Sequence, residues 1–190
     1  MLRLLRRFKG LLAPILVAGL LFANFSVLTA HAHNWGGWHW DKSGSAIYIY
    51  QYNYASQYGL AEAARQNAWN TISILYNYNT NVHTDVSVFD GNFGNTGWGG
   101  LAEVWDSWDW GCWCWDHITH GHARYNSYYG GDARWIQGVF CQEVFHTYGF
   151  THSNDGGCMG LGYWYGTEVP GAIFLNGHNS SDFYNRYRNH

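Results

Sequence analysis

Apolar positions along this chain follow two periods, and the change from one to the other marks its elements. Ile47-Tyr48-Ile49-Tyr50-Gln51-Tyr52 is β-branched and aromatic throughout, which predicts a strand. Leu60, Ala61, Ala63, Ala64 and Ala68 predict a helix over 58–70. Strands follow at 71–78 and 82–89, then turn signals at Asp90-Gly91-Asn92 and Gly94-Asn95-Thr96-Gly97. A long loop carrying Trp105, Trp108, Trp110, Trp113 and Trp115 leads to a fourth strand at 117–125. The strongest helix begins at Asp132, a good N-cap residue, and runs to about Tyr148. Ile136, Phe140 and Val144 form its buried stripe, with Trp135 and Val139 beside them. Gly149 stands where a left-handed residue ends a helix. A Gly-rich loop and a short helix at 180–189, capped by Ser180 or Ser181, complete the chain. With 33–45 read as irregular and no internal repeat, the pattern predicts an α+β or mixed α/β domain.

The first 32 residues do not belong to that pattern. Arg3, Arg6, Arg7 and Lys9 precede an apolar run from Leu11 to Phe25, and Ala30-His31-Ala32 offers a small-x-small cleavage site. A single membrane anchor is the alternative, but the run is short and no basic cluster follows it. We therefore expect residues 1–32 to be a signal peptide and 33–190 one secreted domain with no stable membrane anchor. Its removal leaves six basic against thirteen acidic residues, a net charge of −7, with Lys42 the one remaining lysine. Such a surface disfavours nucleic acid as a partner, because phosphate binding needs clustered cations. Cys112, Cys114, Cys141 and Cys158 are even in number and lack zinc-ribbon spacing. In an oxidising compartment they suggest two disulfides, in any of three connectivities. Twelve Trp and fifteen Tyr among 24 Gly suit a small extracellular core built from large rings, and equally a carbohydrate-binding surface.

The candidate chemistry lies at the end of the strong helix. Gln142 and His146 are four residues apart and share a side of the helix, with Glu143 next to them. A reversal at Gly149 can return His152 toward the same point. A metal ion needs ligands converging from several directions, and one helix supplies two comfortably. Open catalytic zinc sites have three protein ligands and a water, with a carboxylate to take its proton.

This stretch, Gln142-Glu143-Val144-Phe145-His146-Thr147-Tyr148-Gly149-Phe150-Thr151-His152, resembles the H-E-x-x-H-x-x-G-x-x-H motif of metzincin zinc proteases. The likeness is nearest to matrixin-like bacterial secreted peptidases and is firm from about 117 to 160. It implies a metzincin-like catalytic domain: a twisted, mostly parallel sheet with an antiparallel edge strand, an active-site helix, a methionine turn and a C-terminal helix. It further implies Zn2+ held by Gln142, His146 and His152, Glu143 as general base, Met159 as the apolar floor of a methionine turn, and a Cys141–Cys158 disulfide. His117–Asn126 would be the edge strand that lines the cleft. The chain departs from the motif at Gln142, where the family has its first ligand histidine. Either the site is degenerate, or the Gln142 side-chain oxygen, as many bonds from Cα as an imidazole Nε2, takes the ligand's place. Phe145 replaces a small residue and is expected to crowd the helix against the sheet. Tyr163 is the candidate for an oxyanion role.

Three weaker signals are read plainly. His120 and His122 share a strand face with His117 on the other, an arrangement more often solvated than ligating. Asp85, Asp90 and Asn92 are spaced too loosely for a calcium loop. The Trp-rich segment suits core packing as well as ligand stacking. The resulting expectation is a monomeric, secreted zinc metalloendopeptidase acting on protein or peptide substrates. The alternative is a catalytically silent metzincin-fold module that binds peptide or glycan.

Overall fold

A computed structural model describes residues 37–109, 114–164, 167–170 and 172–190, with side chains described outside 108–115 and 161–171. The expected signal peptide at 1–32, Cys112, and the side chains of Cys114 and Tyr163 lie outside what is described. In chain order the elements are β1 (His39–Trp40), β2 (Ile47–Asn53), α1 (Tyr58–Thr71), β3 (Leu75–Asn79), β4 (Val86–Gly91), β5 (Gly100–Asp109) and β6 (Cys114–Asn126). A 3-10 turn at Ser127–Tyr129 leads to α2 (Ala133–His146), the β7 (Leu161–Trp164) and β8 (Thr167–Pro170) hairpin, and α3 (Gly177–Tyr187). The class is α+β, one of the two the pattern predicts, with the mostly parallel sheet that the resemblance implies.

Side-chain alternation along β2 explains how the layers form. Ile47, Ile49, Gln51 and Asn53 are buried, while Tyr48 and Tyr52 are exposed. Five strands run in the order β1-β6-β4-β2-β3, every pairing parallel. Strand β5 pairs antiparallel with β6 on its other side. The antiparallel edge strand is thus β5, and His117–Asn126, expected at the edge, lies in the long interior strand β6. Residues 105–109, expected in a loop, belong to β5. Opposite them β6 carries an extra residue at Thr119 and another at Asp116, so the pairing shifts register between Trp105/Asp106 and Ser107/Trp108.

One of those bulges also reverses a facing prediction. Ile118, Gly121, Ala123 and Tyr125 all lie on the buried side of β6, so the alternation slips once between 118 and 121. His117 therefore falls on the same face as His120 and His122. Elsewhere, the segment expected to be irregular contains β1, the Gly-rich loop contains β7 and β8, and the 71–78 strand shortens because α1 continues to Thr71. Helix α3 begins three residues before its expected start. Asn176 caps it in a reciprocal box with Asn179. Ser180 and Ser181 instead bond the carbonyls of Thr71 and Gly177.

Asp132 caps α2 as predicted, accepting from Trp135 N–H at 2.8 Å. Phe145 is buried, but it does not crowd the sheet. Its ring stacks on Phe150 at 4.6 Å between centroids and lies 6.4 Å from Phe183 of α3. A large residue fits there because α3 supplies an aromatic socket. Tyr187, fully buried, closes that socket: its hydroxyl accepts from Trp40 N–H at 3.1 Å and donates to the Tyr148 carbonyl at 2.7 Å. Trp40 Nε1 in turn donates to the Thr147 carbonyl at 2.9 Å. These bonds tie β1 and α3 to the turn at the end of α2.

Tyr187→Phe is expected to lower stability by about 1–3 kcal/mol, because it strips a hydroxyl from two buried backbone groups. Phe183→Ala, which empties the socket, should cost about 3–5 kcal/mol. Denaturant unfolding followed by circular dichroism measures both.

Candidate metal centre

The site is built where α2 ends. Residues 147–149 turn, with Gly149 at φ 87°. A Cβ on Gly149 would lie 1.9 Å from the Trp38 carbonyl oxygen, so the backbone approach itself excludes a side chain. The chain then doubles back, and Ser153 N–H donates to the Met159 carbonyl at 2.8 Å. Cys141 and Cys158 are disulfide-bonded across this loop, 17 residues apart in sequence.

This turn brings His152 to His146. Their Nε2 atoms are 3.0 Å apart, with ring centroids separated by 4.7 Å. His146 Nδ1 lies 2.6 Å from the Phe150 carbonyl. A carbonyl only accepts, so Nδ1 carries the proton and Nε2 presents its lone pair. Two imidazoles on one tetrahedral zinc would hold their nitrogens about 3.3 Å apart, given Zn–N of about 2.0–2.1 Å. The observed pair is within a few tenths of an ångström of that spacing.

Gln142 is buried on the same side of α2, one turn earlier. Its amide nitrogen donates to the Cys158 carbonyl at 3.1 Å. That bond fixes which end of the amide is which, and leaves the oxygen as the end able to meet a cation. The Cys141–Cys158 disulfide therefore orients Gln142 as well as closing the loop. Met159 is almost wholly buried next to Cys158.

Glu143, next to Gln142 on α2, packs against β5. Its buried carboxylate takes a hydrogen bond from Ala102 of β5. A Cβ on Gly100 would stand 2.4 Å from Glu143 Oε1 and 2.5 Å from Val139 Cγ1, so helix and strand meet this closely only with glycine there. Burial pushes the Glu143 carboxyl from 4.5 up to about 8, against the smaller opposing effect of the Ala102 bond. Burial also lowers His146 to about 4, assisted by His152 and opposed by the Phe150 carbonyl. Gly100 and Ala102 escape the sequence reading. The available signal was the small residues at 100 and 102, spaced to share one face of a strand.

Other candidate groups are committed to protein partners. Asp85 accepts from Lys42 Nζ at 2.7 Å and Tyr50 N–H at 2.9 Å, and Asp90 from Ser56 and Gln57. They form no calcium loop.

No family model matches the chain. No curated protein matches it either. A solved structure with some likeness is high choriolytic enzyme 1, a hatching-enzyme zinc-protease from the medaka fish Oryzias latipes. The match has 16% identity and a TM-score of 0.36, and covers 60% of this chain and half of that one. So slight a likeness carries no weight, and the functional reading rests on residue geometry.

Two outcomes are expected. Gly149→Ala should destabilise the fold by about 3 kcal/mol or more, through both strain and collision. Gly130→Ala, also at positive φ but facing open space, should cost only the backbone strain, about 1–3 kcal/mol, in the same measurement. In metal-free protein, Glu143 holds its proton more tightly folded than unfolded, so its contribution to stability declines as pH rises from about 4.5 to about 8. His146 acts oppositely, and its contribution is lost as pH falls from 6.5 towards about 4. Wild-type stability should therefore decline from pH 6.5 to 8. Glu143→Gln should remove that decline and leave a rise from pH 4 to 6.5, read by chemical denaturation across pH.

Proposed function

We propose that this chain is a secreted, zinc-dependent endopeptidase of the metzincin type, acting on protein or peptide substrates as a monomer. The observation that carries the reading is the pair of Nε2 atoms 3.0 Å apart, delivered from opposite sides of the Gly149 turn. His146, His152 and the Gln142 amide oxygen would hold the ion. Zinc, when bound, supplies a Lewis acid that polarises a peptide carbonyl and brings the pKa of water near neutrality.

The chain's own groups divide the remaining work. The Phe150 carbonyl keeps the His146 proton on Nδ1, and the Cys158 carbonyl keeps the Gln142 oxygen turned away from itself. Glu143 takes a proton from water and returns it to the leaving amine. A carboxyl held near 8 by burial is protonated at neutral pH, but a cation beside it opposes that burial penalty and favours the carboxylate. Gly100 and Ala102 hold it in place from β5. Met159 forms the apolar floor beneath the ligands, and an edge strand such as β5 suits an extended peptide added along its outer side.

The same fold could serve as a silent binding module, and the exposed rings of Tyr48, Tyr52 and Tyr78 on the outer sheet face favour that second reading. Digestion of casein by residues 33–190, with and without chelator, separates the two. The peptidase reading expects chelator-sensitive cleavage abolished by Glu143→Gln and by His146→Ala, with zinc bound more tightly after Gln142→His. Intact casein with the zinc-loaded protein would leave the binding module as the better account.

A further inference from the structure

We propose a second, structural site for a divalent transition metal, formed by His39, His117 and His190. It is independent of the peptidase reading. His39 of β1 is the register partner of His117 of β6, and His190 follows α3. Each contributes one ring nitrogen, and the three atoms all lie within 4.8 Å of one another. His39 and His190 bring their Nε2 atoms to 2.9 Å. The ring centroids are 4.1, 5.0 and 5.5 Å apart, and every pair meets edge-on at 82–88°. Edge-on rings are also an ordinary packing geometry; what marks a ligand set here is that one nitrogen from each ring falls within 4.8 Å of the other two.

The surroundings fit a metal in chemistry as well as geometry. His39 Nδ1 lies 2.6 Å from the Gly37 carbonyl, which fixes its proton there and turns the Nε2 lone pair towards His190. The Arg186 guanidinium lies on the Nδ1 side, 3.3 Å from that atom, and is held by the carbonyls of Gly37 and Trp38. It stands behind the first ligand and not between ligands. Three imidazoles suit zinc, nickel or copper and not calcium or magnesium. The bulge in β6 creates the cluster by placing His117 on this face, so regular alternation along β6 does not forecast it.

Such an ion would join β1, β6 and the segment after α3 at one point. Trp38, next to His39, supplies the carbonyl against which Gly149 packs. Occupancy would therefore brace the wall behind the first metal loop while taking no part in it.

The test uses residues 33–190 carrying His146→Ala and His152→Ala, which removes the candidate catalytic ligands. Titration with Co2+ under a visible spectrum, and with Zn2+ by calorimetry, should show one remaining equivalent. Zn2+ should also raise its melting temperature. His190→Ala, an exposed change that leaves the fold intact, should weaken that binding by more than about 100-fold, beyond the 10–100-fold that losing an outer-shell partner costs. His117→Gln should do the same, with circular dichroism confirming folding. No metal binding in the His146→Ala, His152→Ala background would overturn the proposal, and would mean that His39 and His190 share only a hydrogen bond. Binding that survives His190→Ala and disappears with His120→Ala, His122→Ala would overturn it too, by assigning the ion to the other pair. Loss of casein cleavage alone bears on the catalytic centre and not on this site.

Discussion

A single contact governs the functional half of this molecule: the backbone of Gly149 pressed against the carbonyl of Trp38. Nothing larger than hydrogen fits between them, and the left-handed backbone at that residue is what reverses the chain. Without the reversal, α2 would present Gln142 and His146 to an empty side. With it, His152 comes within 3.0 Å of His146. Tyr187 and Trp40 hold the same turn from behind through two hydrogen bonds and are joined to each other by a third, so the short strand β1 and helix α3 are both part of the site's foundation.

The second constraint is electrostatic. Two ionisable groups of α2, Glu143 and His146, are buried so that each disfavours its charged form. The metal-free site is therefore neutral near pH 7, with a protonated carboxyl and an unprotonated imidazole. In water at pH 7 the Glu would be ionised and the His already mostly neutral, so burial changes the carboxyl's state most. A divalent cation beside them would resolve it in one direction, because it needs the neutral imidazole and stabilises the carboxylate.

Local signals recorded the elements that this arrangement uses, and missed those set by distant partners. Strand β2, helix α1, the Asp132 cap and the Gly149 stop were legible because each follows from a short run of residues. The Cys141–Cys158 link followed from a resemblance in the motif and not from spacing. Strand β5 was not legible, because its small residues answer to a helix some forty positions later, and the β6 face opposite it was misjudged because two extra residues there break the alternation. His117 was assigned to the wrong face for the same reason. Phe145 looked like crowding because nothing nearby in sequence announces Phe183, which receives it.

The disulfide has a consequence for the order in which the site comes together. Gln142, His146 and His152 all lie inside the covalent ring closed by Cys141 and Cys158, and the Gln142 amide also bonds the Cys158 carbonyl across it. Closing a ring of this size removes about 3 kcal/mol of chain entropy from the unfolded state. In small zinc domains the ion itself provides that ordering, and much of its affinity is consumed in folding the chain around it. Here the disulfide supplies part of that ordering without an ion. An amide oxygen is a weaker partner for zinc than an imidazole, and a ring closed in advance would offset part of that weakness.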